Sequence, residues 1–230
     1  MATHLDLEEQ EQLDAVKHFW KRYGNLITWL LILVLGGYAA WNGWNWWQRD
    51  QATKAGAMFD ELDRVAQAGD ADKTNRIFND LKDRYPATAF AQQGGLLSAK
   101  VQADNGKPDI AQATLGWVAA NAAETEYQTI ARLRLAGLLL DEKKYDDALK
   151  QLEAATAPSF EALVADRRGD VLFAQGKADD AKAAYEKAWK AMDPKIEYRR
   201  LIEAKLASLG AAPASIPAAT AAAASAGAAR

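Results

Sequence analysis

The sequence predicts an all-α protein: one transmembrane helix, then a solenoid of helical hairpins closed by a C-terminal capping helix. Three observations carry that prediction. No residue from Tyr23 to Gln48 is charged. Beyond it, apolar residues recur at helical spacing, as in Leu133, Ala136 and Leu140, with no stretch alternating like a strand. A segment of hairpin length also repeats itself along the chain. Composition agrees, because half of the 230 residues are hydrophobic while the mean hydropathy is −0.29. The apolar content is therefore concentrated in one place rather than spread.

The N-terminal segment, residues 1–22, carries Asp6, Glu8, Glu9, Glu11 and Asp14 before Lys17, Lys21 and Arg22. Leu13, Val16 and Trp20 fall near one face of a short amphipathic helix there. Next comes the transmembrane helix, residues 23–47, with Leu26 to Leu35 at its centre. About 20 mostly apolar residues suffice to cross a bilayer, and this helix is the contact with membrane lipid. Trp41, Trp44, Trp46 and Trp47 crowd one end while Trp20 and Tyr23 stand at the other, as interfacial belts do. The main alternative is a cleaved signal peptide, with Gly37 and Ala39 as small residues near a cut. The acidic start and the four tryptophans after that cut favour a retained anchor. Lys17, Lys21 and Arg22 beside the span place residues 1–22 in the cytosol and the long domain on the far side.

Residues 51–210 form the repeat domain. Lys144-Tyr145-Asp146-Asp147-Ala148 returns as Lys177-Ala178-Asp179-Asp180-Ala181, 33 residues later, and the same offset maps Leu139 onto Leu172 and Leu152 onto Tyr185. A fainter copy, Lys107 to Ala111, lies 37 residues before the first. The faintest comprises Thr74, Phe78, Leu81 and Pro86. Periods of this size match the tetratricopeptide unit, a helix–turn–helix of about 34 residues. Hairpins are expected at 51–86, 90–123, 127–157 and 160–194. Gly169 and Ala181 are the small residues that let paired helices approach, Tyr185 fills the gap to the next unit, and Gly176 ends the first helix of its hairpin. An amphipathic helix over 195–209, with Ile196, Leu201, Ile202, Leu206 and Leu209, is expected to cap the stack. Residues 211–230 are an Ala-rich tail with nothing large to bury, expected to be disordered.

Composition narrows the function. There is no cysteine, and both histidines, His4 and His18, precede the membrane segment. The repeat domain therefore lacks the side chains for a Ser-His-Asp triad or a histidine-ligated zinc site. No cofactor is expected and no catalytic or metal-binding residue is assigned. Asp166 and Asp170 are a carboxylate pair, read as i,i+4 surface charges rather than acid–base machinery. A formal net charge of −3 with interspersed signs makes no case for nucleic acid. What remains is a non-catalytic binding scaffold, with an enzyme as the weaker alternative. If a groove exists, the first helix of each hairpin lines it. Its equivalent positions in the last two hairpins are Ile130 with Leu163, Leu133 with Asp166, and Gly137 with Asp170, and the candidate partner-binding residues are Ile130, Leu133, Leu163, Asp166 and Asp170. These do not supply a Lys/Asn clamp for a terminal carboxylate, so apolar segments or a folded partner are the expected contacts.

An acidic N-terminus, the run Lys17-His18-Phe19-Trp20-Lys21-Arg22-Tyr23-Gly24-Asn25, one span and a degenerate tetratricopeptide domain together resemble the ancillary SecYEG translocon subunit (YfgM) family of Gram-negative bacteria. The resemblance covers residues 1–210. It implies a single-pass inner-membrane protein with a periplasmic domain, associated with the SecYEG translocon and with a membrane-anchored periplasmic chaperone (PpiD-like). It further implies that exported polypeptides are handed toward periplasmic chaperones. A membrane-tethered scaffold for another envelope assembly, such as division or outer-membrane biogenesis, is the competing reading.

Overall fold

The computed structural model describes residues 7–211. The expected disorder of the tail lies outside these residues except at Ala211, as do His4 and Asp6. The described residues are helical, with no strand among them. Helix α1 spans Leu7–Gln67, 61 residues. The helix runs on without interruption, because between Gly43 and Gly56 the sequence offers neither proline nor glycine to break the backbone hydrogen bonds. The chain divides into two compact units, Met1–Thr53 and Lys54–Arg230.

In the first unit the apolar side chains face outward. Leu33 is 72% exposed and Trp41 67%. A core helix of a soluble protein would bury these groups, and this helix is long and apolar enough to cross a membrane. Thr28 is accommodated within the helix, its hydroxyl donating to the Gly24 carbonyl at 2.8 Å. Leu13, Val16 and Trp20 are exposed as part of α1.

The second unit stacks four helical hairpins. Their first (A) helices are the end of α1, then α3 (Ala89–Asp104), α5 (Thr125–Asp141) and α7 (Glu161–Ala174). Their second (B) helices are α2 (Ala71–Arg84), α4 (Pro108–Asn121), α6 (Tyr145–Glu153) and α8 (Ala178–Ala191). Helix α9, Tyr198–Ser208, follows. Local chemistry explains the starts. Asp70 caps α2 by accepting the Lys73 N–H at 2.9 Å, Thr88 caps α3, and Pro108 opens α4. Acidic pairs stand in the first turns of α6 and α8.

Every A-to-B turn is built alike. A residue with positive φ ends the A helix at Gly69, Gly106, Lys143 and Gly176, and Gly210 ends α9 in the same way. At Gly176 the N–H bonds to the Phe173 carbonyl at 2.9 Å and the next N–H bonds to that of Leu172 at 3.0 Å. The other four sites repeat that pair of bonds. These positions are spaced 37, 37, 33 and 34 residues apart. Helix α9 is therefore a fifth A helix.

The core runs along the stack as successive clusters rather than one centre. Leu62, Phe78 and Leu81 form the first. Leu115, Val118, Leu135 and Leu139 anchor the middle, and Leu172, Tyr185, Met192, Ile202 and Leu206 the last. Close helix approach depends on Gly95 and Gly169. A Cβ on Gly95 would stand 2.5 Å from Val118, and one on Gly169 2.5 Å from Cδ1 of the Tyr185 ring. The cap is narrower than expected. Ile202 and Leu206 are buried, but Ile196 and Leu201 remain about half exposed.

Candidate partner-binding surface

The A helices α3, α5 and α7 lie side by side, and a groove of about 430 Å³ opens on the face they share. Leu133, Arg134 and Gly137 of α5 form its centre, with Lys100 of α3 on one flank and Arg167 of α7 on the other. Arg134 donates from its guanidinium to the Leu96 carbonyl at 2.9 Å, which ties α5 to α3. Lys100 pairs with Asp104 at 2.7 Å, one turn along its own helix. A larger cleft, about 950 Å³, opens where the nine-residue α6 stops short. Its walls are the 154–158 loop, α7 and α8. No cluster of metal-ligating side chains occurs among the described residues.

The five candidate residues separate into two groups. Leu133 reaches the groove while also packing on the middle cluster. Ile130 packs on that same cluster and Leu163 on the last one, each half-buried. Asp166 and Asp170 do not join them. Asp166 is 2% exposed and accepts hydrogen bonds from Tyr198 at 2.7 Å and from Lys205 at 2.8 and 2.9 Å. Asp170 accepts from Tyr185 at 2.8 Å and from Lys205 at 2.6 Å. The reading of this pair as surface charges is thus corrected. Helix α9 lies over that side of α7, and its Lys205 holds both carboxylates. The positive charge shared between them compensates for removing them from water. Burial first, and then the bonded carboxylate, lift the phenols of Tyr185 and Tyr198 well above the usual tyrosine range. Both stay protonated and donate.

Sequence reasoning passed over Lys100, Arg134 and Arg167. A signal was available, because the 33-residue offset that maps Leu139 onto Leu172 also maps Arg134 onto Arg167. That repetition marks one position on consecutive A helices.

Known proteins resemble the chain at two levels. Residues 17–211 match the tetratricopeptide repeat-like domain family. An ancillary SecYEG translocon subunit of Neisseria gonorrhoeae is 34% identical over 210 residues, 91% of this chain and 100% of the relative. A protein of the same name from Escherichia coli K12 is 28% identical over 181 residues, 77% of this chain and 85% of the relative. Its Haemophilus influenzae counterpart is 29% identical, covering 79% of this chain and 89% of the relative. Among solved structures, a putative kinesin light chain of Podosopora anserina with nearly identical tetratricopeptide-like repeats superposes with a TM-score of 0.53. That match covers 78% of this chain and 98% of the other at 14% identity, and it bears on the fold alone.

Proposed function

We propose that this chain, which belongs to the ancillary SecYEG translocon subunit family, is a membrane-anchored, non-catalytic adaptor of the Sec translocon that links exported chains to periplasmic chaperones. The observation that carries the reading is a full-length relative bearing that name, joined to an exposed apolar helix and an A-helix groove on one chain. The span over 23–47 holds the protein in the bacterial inner membrane. Lys17, Lys21 and Arg22 support a cytosolic N-terminus, with residues 51–210 in the periplasm and the tail 211–230 beyond them. The partners are the SecYEG translocon, a membrane-anchored PpiD-like chaperone, and chains in transit.

The physics of tethering explains the design. An anchored domain meets a membrane-bound partner at an effective concentration up to about millimolar for short linkers, so micromolar intrinsic affinity suffices for occupancy. Leu133 is the proposed contact, with Ile130 and Leu163 supporting the A helices that present it. Asp166 and Asp170 serve by holding α9 in place.

Two measurements test this. Mild detergent extraction of the tagged chain should bring down translocon subunits; an assembly of division or outer-membrane biogenesis in their place would favour the alternative scaffold. Released domain, residues 51–230, should rescue a deletion poorly at native abundance and better when overproduced. Full rescue at native abundance would remove the tethering argument.

A further inference from the structure

We infer that the A-helix groove takes an extended polypeptide segment that carries a carboxylate among apolar side chains, its main chain against Gly137 and its acid on Arg134. The inference rests on the adaptor reading and adds the chemistry of what is held.

Gly137 is the first observation. It sits inside α5, where glycine is disfavoured relative to alanine. Gly94, Gly95 and Gly169 are explained by packing, since a Cβ on any of them would collide with a neighbouring side chain. A Cβ on Gly137 would meet nothing within 4 Å, and the residue lines the groove. Gly116 of α4 is equally open but does not line the groove. Packing inside the chain therefore gives no reason for Gly137. An open helical glycine in a groove admits a close approach by another backbone.

Charge is the second observation. Three cations, Lys100, Arg134 and Arg167, line the groove against two carboxylates, Asp104 and Asp141. Asp104 is spent on Lys100 at 2.7 Å, and Arg167 leans on Asp170 at 3.5 Å. Arg134 forms no ion pair among the described residues. Its bond to Leu96 fixes the guanidinium at one nitrogen and leaves its other donors free. A fixed, unpaired guanidinium beside apolar Leu133 and Leu138 suits a carboxylate flanked by apolar residues. Asp141, at the end of α5, would attract a basic residue instead, so the sign of the preference is a real test.

The experiment uses the full chain in nanodiscs of zwitterionic lipid and two fluorescein-labelled peptides. One is built of Leu, Ser and Asp, and the other has Lys at every Asp. Fluorescence anisotropy should show the acidic peptide binding at least tenfold more tightly. Arg134→Glu should abolish or invert that preference. Gly137→Leu should weaken binding at least tenfold while leaving the melting temperature unchanged or raised, since the added side chain enters open space. Full affinity in Gly137→Leu overturns the backbone contact. Equal binding of both peptides by a chain that still captures the translocon overturns this inference and spares the adaptor reading.

Discussion

Replacing Gly169 by alanine tests the packing of the last hairpin most sharply. The new methyl would stand 2.5 Å from Cδ1 and 2.9 Å from Cζ of Tyr185, where carbon atoms at rest lie about 3.5–4.0 Å apart. The ring would have to withdraw by about 1 Å, and it has little room, being 3% exposed in the last core cluster. Its hydroxyl is also held by Asp170 at 2.8 Å. Three effects combine. Helix propensity favours alanine by about 1 kcal/mol. Overpacking costs about 1–3 kcal/mol. A strained or broken bond to the carboxylate costs up to about 1.5–3 kcal/mol more. The expected net loss is about 2 kcal/mol, against the helix-propensity rule. Urea unfolding of the full chain in detergent, followed by far-ultraviolet dichroism, reads the change in midpoint. Tyr185→Leu should absorb part of the damage, so the double variant should be less destabilised than the sum by about 1 kcal/mol or more. A Gly169→Ala protein as stable as the parent would refute the close approach of α7 and α8.

Three further outcomes follow from the same geometry. Lys143 adopts φ 60°, which costs a non-glycine residue about 1–2 kcal/mol, so Lys143→Gly should raise stability by roughly 0.5–1 kcal/mol after glycine's own entropy loss; unchanged or lower stability in urea would contradict this turn. Asp166→Ala leaves Tyr198 without its acceptor and Lys205 with one carboxylate, and should cost about 3 kcal/mol, with amides of α9 exchanging first; uniform exchange along the domain would argue against the latch. Finally, the raised phenols of Tyr185 and Tyr198 mean that the unfolded chain releases those protons first as pH climbs through about 10. Stability should be fully retained below that pH and fall above it, by at most about 1.4 kcal/mol per unit for each tyrosine and by less for Tyr198, which is 36% exposed. In Tyr185→Phe the decline should be shallower, and an unaltered slope would count against the linkage.

The anchor and the repeat were legible because both depend on local pattern. An uncharged apolar run, a tryptophan cluster and a 33-residue offset are properties of neighbouring residues or of one spacing. The turns were legible at Gly176 but not at Lys143, where the repeat keeps the backbone conformation without the residue that announces it. Asp166 misled because its partner stands 39 residues away on a helix whose packing no periodicity reveals. The continuation of α1 past the tryptophans follows from the lack of proline and glycine between Gly43 and Gly56. Arg134 escaped notice because a charged residue on an amphipathic helix looks like ordinary solvated surface until neighbouring helices show that it faces a groove.

What touches the A-helix face in the living cell decides whether the chain is an adaptor. Photoreactive amino acids placed at Leu133 and Arg134, and at the exposed Lys190 of α8 as a reference, measure it directly. Irradiation should yield adducts of translocon subunits, a membrane-bound chaperone or chains in transit at the first two positions, and few at Lys190. Equal labelling at all three positions, or adducts containing no export component, would contradict the adaptor role.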